Sequence, residues 1–121
     1  MLVISSATSY TMHIHNITME LETVSHGPND FTNAKVTVTI FDASDNPVDG
    51  ATVSGTWSGA TTDTDSGVTD ASGQVSLESD KVKNPPSGTT FTFTVNDVTK
   101  EGWTYDSGNS VTSGSITVPQ E

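Results

Sequence analysis

Apolar and polar residues alternate with a period of two along most of this chain, and no window carries the spacing of an amphipathic helix. From Tyr10 to Thr23 the apolar positions are Met12 and Ile14, then Ile17, Met19 and Leu21. The change of phase at His15-Asn16 predicts a bulge or a strand that switches sheets, since one extra residue flips every later side chain to the other face. His26-Gly27-Pro28-Asn29, inside the stretch Ser25 to Asp30, predicts a loop. Lys35 to Phe41 places Val36, Val38 and Ile40 inward. Val48 to Trp57 puts Ala51, Val53, Gly55 and Trp57 on one face, and Thr61 to Val68 is polar enough for an edge strand. Gln74 to Ser79 sends Val75 and Leu77 inward, and Thr89 to Val98 alternates Phe91, Phe93 and Val95 with threonines. A short segment around Trp103 and Tyr105 follows, and Ser113 to Val118 closes the series before Pro119. Turn residues recur between these runs at the spacing of a sandwich, so the prediction is an all-β, two-sheet antiparallel β-sandwich of about seven to eight strands. Residues 10–119 form this one module, and residues 1–9 read as the edge of a linker.

Composition refines the picture. Only 31% of the 121 residues are hydrophobic, yet they fall in ordered runs, as in a fold with Val, Ile and Phe inside and Thr and Ser outside. Fifteen acidic residues stand against four lysines, for a net charge of −11. Nucleic acid phosphates and anionic lipid heads would repel such a chain. Neutral glycans, metal cations and neighbouring domains of the same chain remain as partners for a monomeric module. Cysteine is absent, which excludes a disulfide framework, a thiolate metal site and a cysteine nucleophile. No run approaches the ~20 apolar residues of a membrane-spanning helix.

Two segments carry a resemblance. Asp42-Ala-Ser-Asp-Asn-Pro47-Val-Asp-Gly50-Ala-Thr-Val53 and Thr69-Asp70-Ala-Ser-Gly73 resemble paired motifs of bacterial immunoglobulin-like domains. Met12-His-Ile14, Thr92-Phe-Thr-Val95 and Thr104-Tyr-Asp106 are similar to a subgroup found as C-terminal accessory modules of secreted bacterial hydrolases. The resemblance implies an immunoglobulin-like fold and an extracellular, modular setting. Trp103 departs from the aliphatic residue of that subgroup. The acidic, Gly-rich loop expected after Asp106 is shortened to Ser107-Gly108-Asn109-Ser110, which weakens the case for the subgroup's calcium site there. Physically, Pro47 fixes a turn, Gly50 and Gly73 allow positive φ, and Asp70 can accept backbone N–H groups.

Candidate chemistry is sparse. No nucleophile–base spacing and no pair of tuned carboxyls stands out, so the chain reads as non-catalytic. His13-x-His15 with His26 offers zinc ligands, against the plainer reading of polar residues on a solvent face. Calcium, a hard cation wanting oxygens from loops, has two candidate sets: Asp63, Asp65 and Asp70, or Asp42, Asp45 and Asp49. Aspartates in turns serve equally well as backbone caps. Among eight aromatics, Phe91 and Phe93 are core, and Phe41 is out of phase with its strand. Trp57, Trp103 and Tyr105 are the candidate ligand-binding residues. Trp57 ends an inward run and has the place of a buried sandwich Trp. Trp103 and Tyr105, two apart, share a strand face on which a sugar ring could stack, unless that face is core. Together with the resemblance, which implies the setting of a secreted hydrolase, these features suggest a carbohydrate-binding accessory module of a secreted polysaccharide-degrading enzyme. The alternative is an immunoglobulin-like spacer or adhesion-stalk domain with no small ligand.

Overall fold

The computed structural model describes residues 10–119. Nine strands occur there: β1 (Tyr10–His26), β2 (Asn29–Asp42), β3 (Thr52–Gly59), β4 (Asp63–Val68), β5 (Gln74–Glu78), β6 (Val82–Lys83), β7 (Thr90–Thr99), β8 (Trp103–Tyr105) and β9 (Ser113–Thr117). One sheet has the order β5-β2-β1-β8, with β6 also pairing β2, and the other has the order β4-β3-β7-β9. The architecture is all-β and sandwich-like, with one strand, β6, that the alternation does not reveal. The expected Ser25–Asp30 loop is instead a two-residue turn at Gly27-Pro28: Ser25 pairs Asp30 and His26 pairs Asn29. Gly27 takes φ 62°, as tight hairpin turns demand. The expected antiparallel arrangement also has one exception, since β8 lies parallel to the start of β1, with Tyr10 opposite Trp103 and Met12 opposite Tyr105.

The bulge predicted near His15 is present: Ile14 pairs Ile40, Asn16 pairs Thr39, and His15 is skipped. Its ring instead stacks on Phe41, centroids 4.4 Å apart, which accounts for a Phe that fits neither face of its strand. Trp57, Phe91, Phe93, Met12, Ile14 and the valines of β2 and β3 form one core between the sheets. Trp57 and Phe93 pack with centroids 4.9 Å apart. Partly buried Ile17, Met19, Leu21 and Ile116 continue this core along β1 and β9.

The two motif segments meet in space. Thr69 is 3% exposed; its hydroxyl donates to the Val48 carbonyl at 2.6 Å and accepts the Ala51 N–H at 2.9 Å. Its backbone pairs with Gly50 and Ala51. Gly73, at φ 75°, accepts the Ile40 N–H, and a Cβ there would stand 2.5 Å from the Ile40 oxygen and 3.0 Å from Pro47. Asp42 caps Ser44 and Asn46, and Asp70 caps Ser72 and Gln74. The motif therefore interlocks the loop before β3 with the loop before β5, with Asp42, Thr69, Asp70 and Gly73 each in a packing or backbone role.

Candidate functional site

A depression of about 700 Å³ lies where β7 turns into β8. A tight turn makes it: Trp103 N–H donates to the Lys100 carbonyl, and Gly102 takes φ 82°. That turn carries Trp103 back beside the first residue of β1. The Tyr10 and Trp103 rings sit 5.1 Å apart at 31°, and Tyr10 is 52% exposed while Trp103 is half-buried. Lys100 Nζ lies 5.4 Å from the Trp103 ring centroid and donates to the Asp49 carbonyl, which holds the ammonium at the wall. Asp97 and Glu101 add carboxylates to the rim, and Thr52 and Thr104 add hydroxyls. Tyr105 lines the same hollow, but its hydroxyl is buried and has no protein partner.

The three aromatic candidates thus separate. Trp103 and Tyr105 are brought together at one hollow, Trp103 as a half-buried ring backing Tyr10 and Tyr105 as a deeper wall. Trp57, named both as a ligand candidate and as the buried sandwich Trp, takes the second place: it is 1% exposed and packs tilted against Phe93 inside the sandwich. Residues of odd and even parity explain the split, since Trp57 follows Val53 and Gly55 on the inward face of a central strand. Tyr10 and Lys100 were not among the sequence candidates. Tyr10 shares the parity of Met12 and Ile14, so alternation alone sends it inward. Only the parallel pairing with β8, more than ninety positions away, turns it into half of a surface pair.

The aspartates do not converge. Asp63 and Asp65 each accept the N–H of the next residue, and Asp70 closes its own turn. Asp42 is likewise occupied by Ser44 and Asn46, and these bonds from the backbone of Asn46, then of Ser44, hold its carboxyl below its ordinary range. Among the described residues no group of three His, Cys, Asp or Glu side chains is placed to hold a metal ion. His13 pairs with Phe41, His15 is the bulged residue, and His26 packs edge-on against Phe31, centroids 5.6 Å apart. No helix there is long and apolar enough to cross a membrane.

Comparison with family models, curated proteins and solved structures finds no match for this chain.

Proposed function

We propose that the chain is a non-catalytic carbohydrate-binding module of immunoglobulin-like fold, attached to a secreted polysaccharide-degrading enzyme. The observation that carries the reading is the exposed Tyr10 ring packed on Trp103, which itself lines an open, hydroxyl- and carboxylate-rimmed hollow. Sugar rings present apolar C–H faces to flat aromatics, and their hydroxyls take hydrogen bonds from polar groups around the ring. A neutral glycan suits a rim where Asp97 and Glu101 stand beside one already engaged lysine. The strand order supports the fold assignment: β1-β2-β5 correspond to A, B and E of an immunoglobulin-like sandwich, and β4-β3-β7-β9 to C′, C, F and G.

Native electrophoresis through gels containing hydroxyethyl cellulose or a mixed-linkage β-glucan tests the reading. Wild type should be retarded, and Tyr10→Ala should run free while keeping its melting temperature. Unretarded wild type in both gels would refute it. A second reading, a spacer between domains, is favoured by one specific observation. The first described strand starts beside Trp103, at the Lys100 end of β7, and the last finishes beside Gly88, at the Thr90 end. A chain passing through from end to end holds its neighbours apart, and this reading stands if no glycan is retained.

A further inference from the structure

A second depression, about 450 Å³, lies on the outer face of the β4-β3-β7-β9 sheet and is lined by Ser54, Thr64, Ser66, Asn96 and Asp65 with the Gly55 backbone. It adjoins the Trp103 hollow without an intervening element, because neighbouring outward positions on two strands divide between them. On β3, Thr52 lines the first and Ser54 the second; on β7, Asp97 lines the first and Asn96 the second. The β7 pair is unusual in strand geometry. Val95 and Val98 both point into the core, while Asn96 and Asp97 between them are both exposed. A bulge opposite Ser54/Gly55 allows this: Ser54 pairs Asp97, Gly55 pairs Val95, and Asn96 is the extra residue. Bulges re-aim side chains and gather next to binding sites. Here the bulge puts two neighbouring polar side chains on one face, one in each depression.

Apart from Asp65 and Asp97, the face carries no charged side chain on β3, β4, β7 or β9 in its outward positions, in a chain of net charge −11. Its outward positions include Ser54, Thr56 and Ser58 on β3, Thr64 and Ser66 on β4, Thr92 and Thr94 on β7, and Ser115 on β9. Several are fixed in place by one another: Asn96 Nδ2 donates to Thr56 Oγ1 at 2.7 Å, and Thr92 and Ser115 hydroxyls share a bond of 2.9 Å. From Thr52 to Thr56 the strand rises roughly 14 Å, which exceeds one pyranose ring. Resting on the glycan reading above, we propose that the two depressions form one track for a linear, uncharged polysaccharide. Its first sugar packs on Tyr10 and Trp103, and the following units lie along β3 and β7. Asn96 and Asp97 hydrogen-bond the hydroxyls at the junction, and Thr64 and Ser66 flank the far end.

Calorimetric titration with β-1,4-linked glucose oligomers from disaccharide to hexasaccharide separates this inference from the reading it rests on. The track predicts affinity rising about tenfold or more across the ladder, since each added unit meets new contacts. Asn96→Ala, and Thr64→Arg on the exposed edge strand, should remove most of that rise, with disaccharide affinity as the internal reference and melting temperature as the check on folding. Affinity independent of length, or an undiminished rise in both variants, overturns the track while the Trp103 hollow keeps its ligand. No binding at any length, hexasaccharide included, overturns both.

Discussion

Replacing Thr69 by Val keeps the shape of the side chain and removes only its hydroxyl. Thr69 is 3% exposed, and the groups it serves belong to Val48, at 3%, and Ala51, at 0%. In the variant no hydroxyl meets the Val48 carbonyl or the Ala51 N–H. A buried polar group left without its partner costs about 1–3 kcal/mol, so two cost roughly 2–6 kcal/mol. The extra buried methyl returns about 0.8 kcal/mol, which leaves a net loss near 3 kcal/mol. Thr69→Ser does the reverse: it keeps both hydrogen bonds and deletes one buried methyl, for about 1 kcal/mol. The more hydrophobic substitution is therefore the more damaging one. Urea unfolding followed by tryptophan fluorescence measures both, with an unchanged slope showing that the same surface is exposed. At about 4 °C per kcal/mol, Val should lower the melting temperature by roughly 12 °C and Ser by roughly 4 °C. A Thr69→Val protein as stable as Thr69→Ser, or more so, would refute the staple and leave the second motif as a turn signal only.

Trp57→Ala should cost about 3–5 kcal/mol by emptying the centre of the core, read as loss of the cooperative thermal transition. Gly55→Ala should destabilise by about 1–3 kcal/mol, since its Cβ would fall 2.2 Å from the Phe93 ring and 2.7 Å from the Thr94 oxygen. The same change at Gly108, where the nearest atom is 3.7 Å away, should be neutral or stabilise by under ~1 kcal/mol; denaturation midpoints compare the two. Asp42, its folded pKa depressed by the Asn46 and Ser44 N–H groups, contributes stability above its unfolded pKa that disappears as pH falls through the folded one. Melting temperatures taken from about pH 5 to pH 2 should therefore fall less steeply in Asp42→Asn than in wild type. Chelation should leave the wild-type melting temperature unchanged, because Asp63, Asp65 and Asp70 are each turned to separate backbone groups; a lowered midpoint would reinstate a calcium site.

Alternation made the core legible because the period of two is a local property. Val36, Val38 and Ile40, the pair Phe91 and Phe93, and the run ending at Trp57 all face inward as their spacing requires. The phase slip at His15 was legible for the same reason, as a bulge leaves its mark in the sequence on both sides. Long-range pairing left no such mark. Nothing within Trp103-Thr104-Tyr105 indicates that it adds in parallel to Tyr10-Thr11-Met12, so Tyr10 is not a candidate that the sequence offers. The Gly27-Pro28 hairpin was read as a longer loop because His26, Asn29 and Asp30 are turn residues by type. They are instead paired, and Asn84 fastens that end of the hairpin through Asp30 N–H and Asn29. Val82-Lys83 is too short to show any period, and it exists as a strand only because Phe31 and Thr32 are there to pair with it.

The opposite placement of the first and last strands has a mechanical meaning. β1 leaves Tyr10 running in the same direction as β8 and against β2, and β9 runs against β7 toward Val118. A pull applied at those two ends lies along the strands, so it slides β1 against β2 and β8, and β9 against β7. Hydrogen bonds perpendicular to such a load must fail together, whereas bonds pulled open from one end fail singly. Resistance to the load is then set by the rate of crossing that collective barrier, a kinetic quantity distinct from the equilibrium stability. A sandwich threaded in this way would behave as a stiff link in a tethered chain, holding its shape under drag whether or not its aromatic hollow is filled.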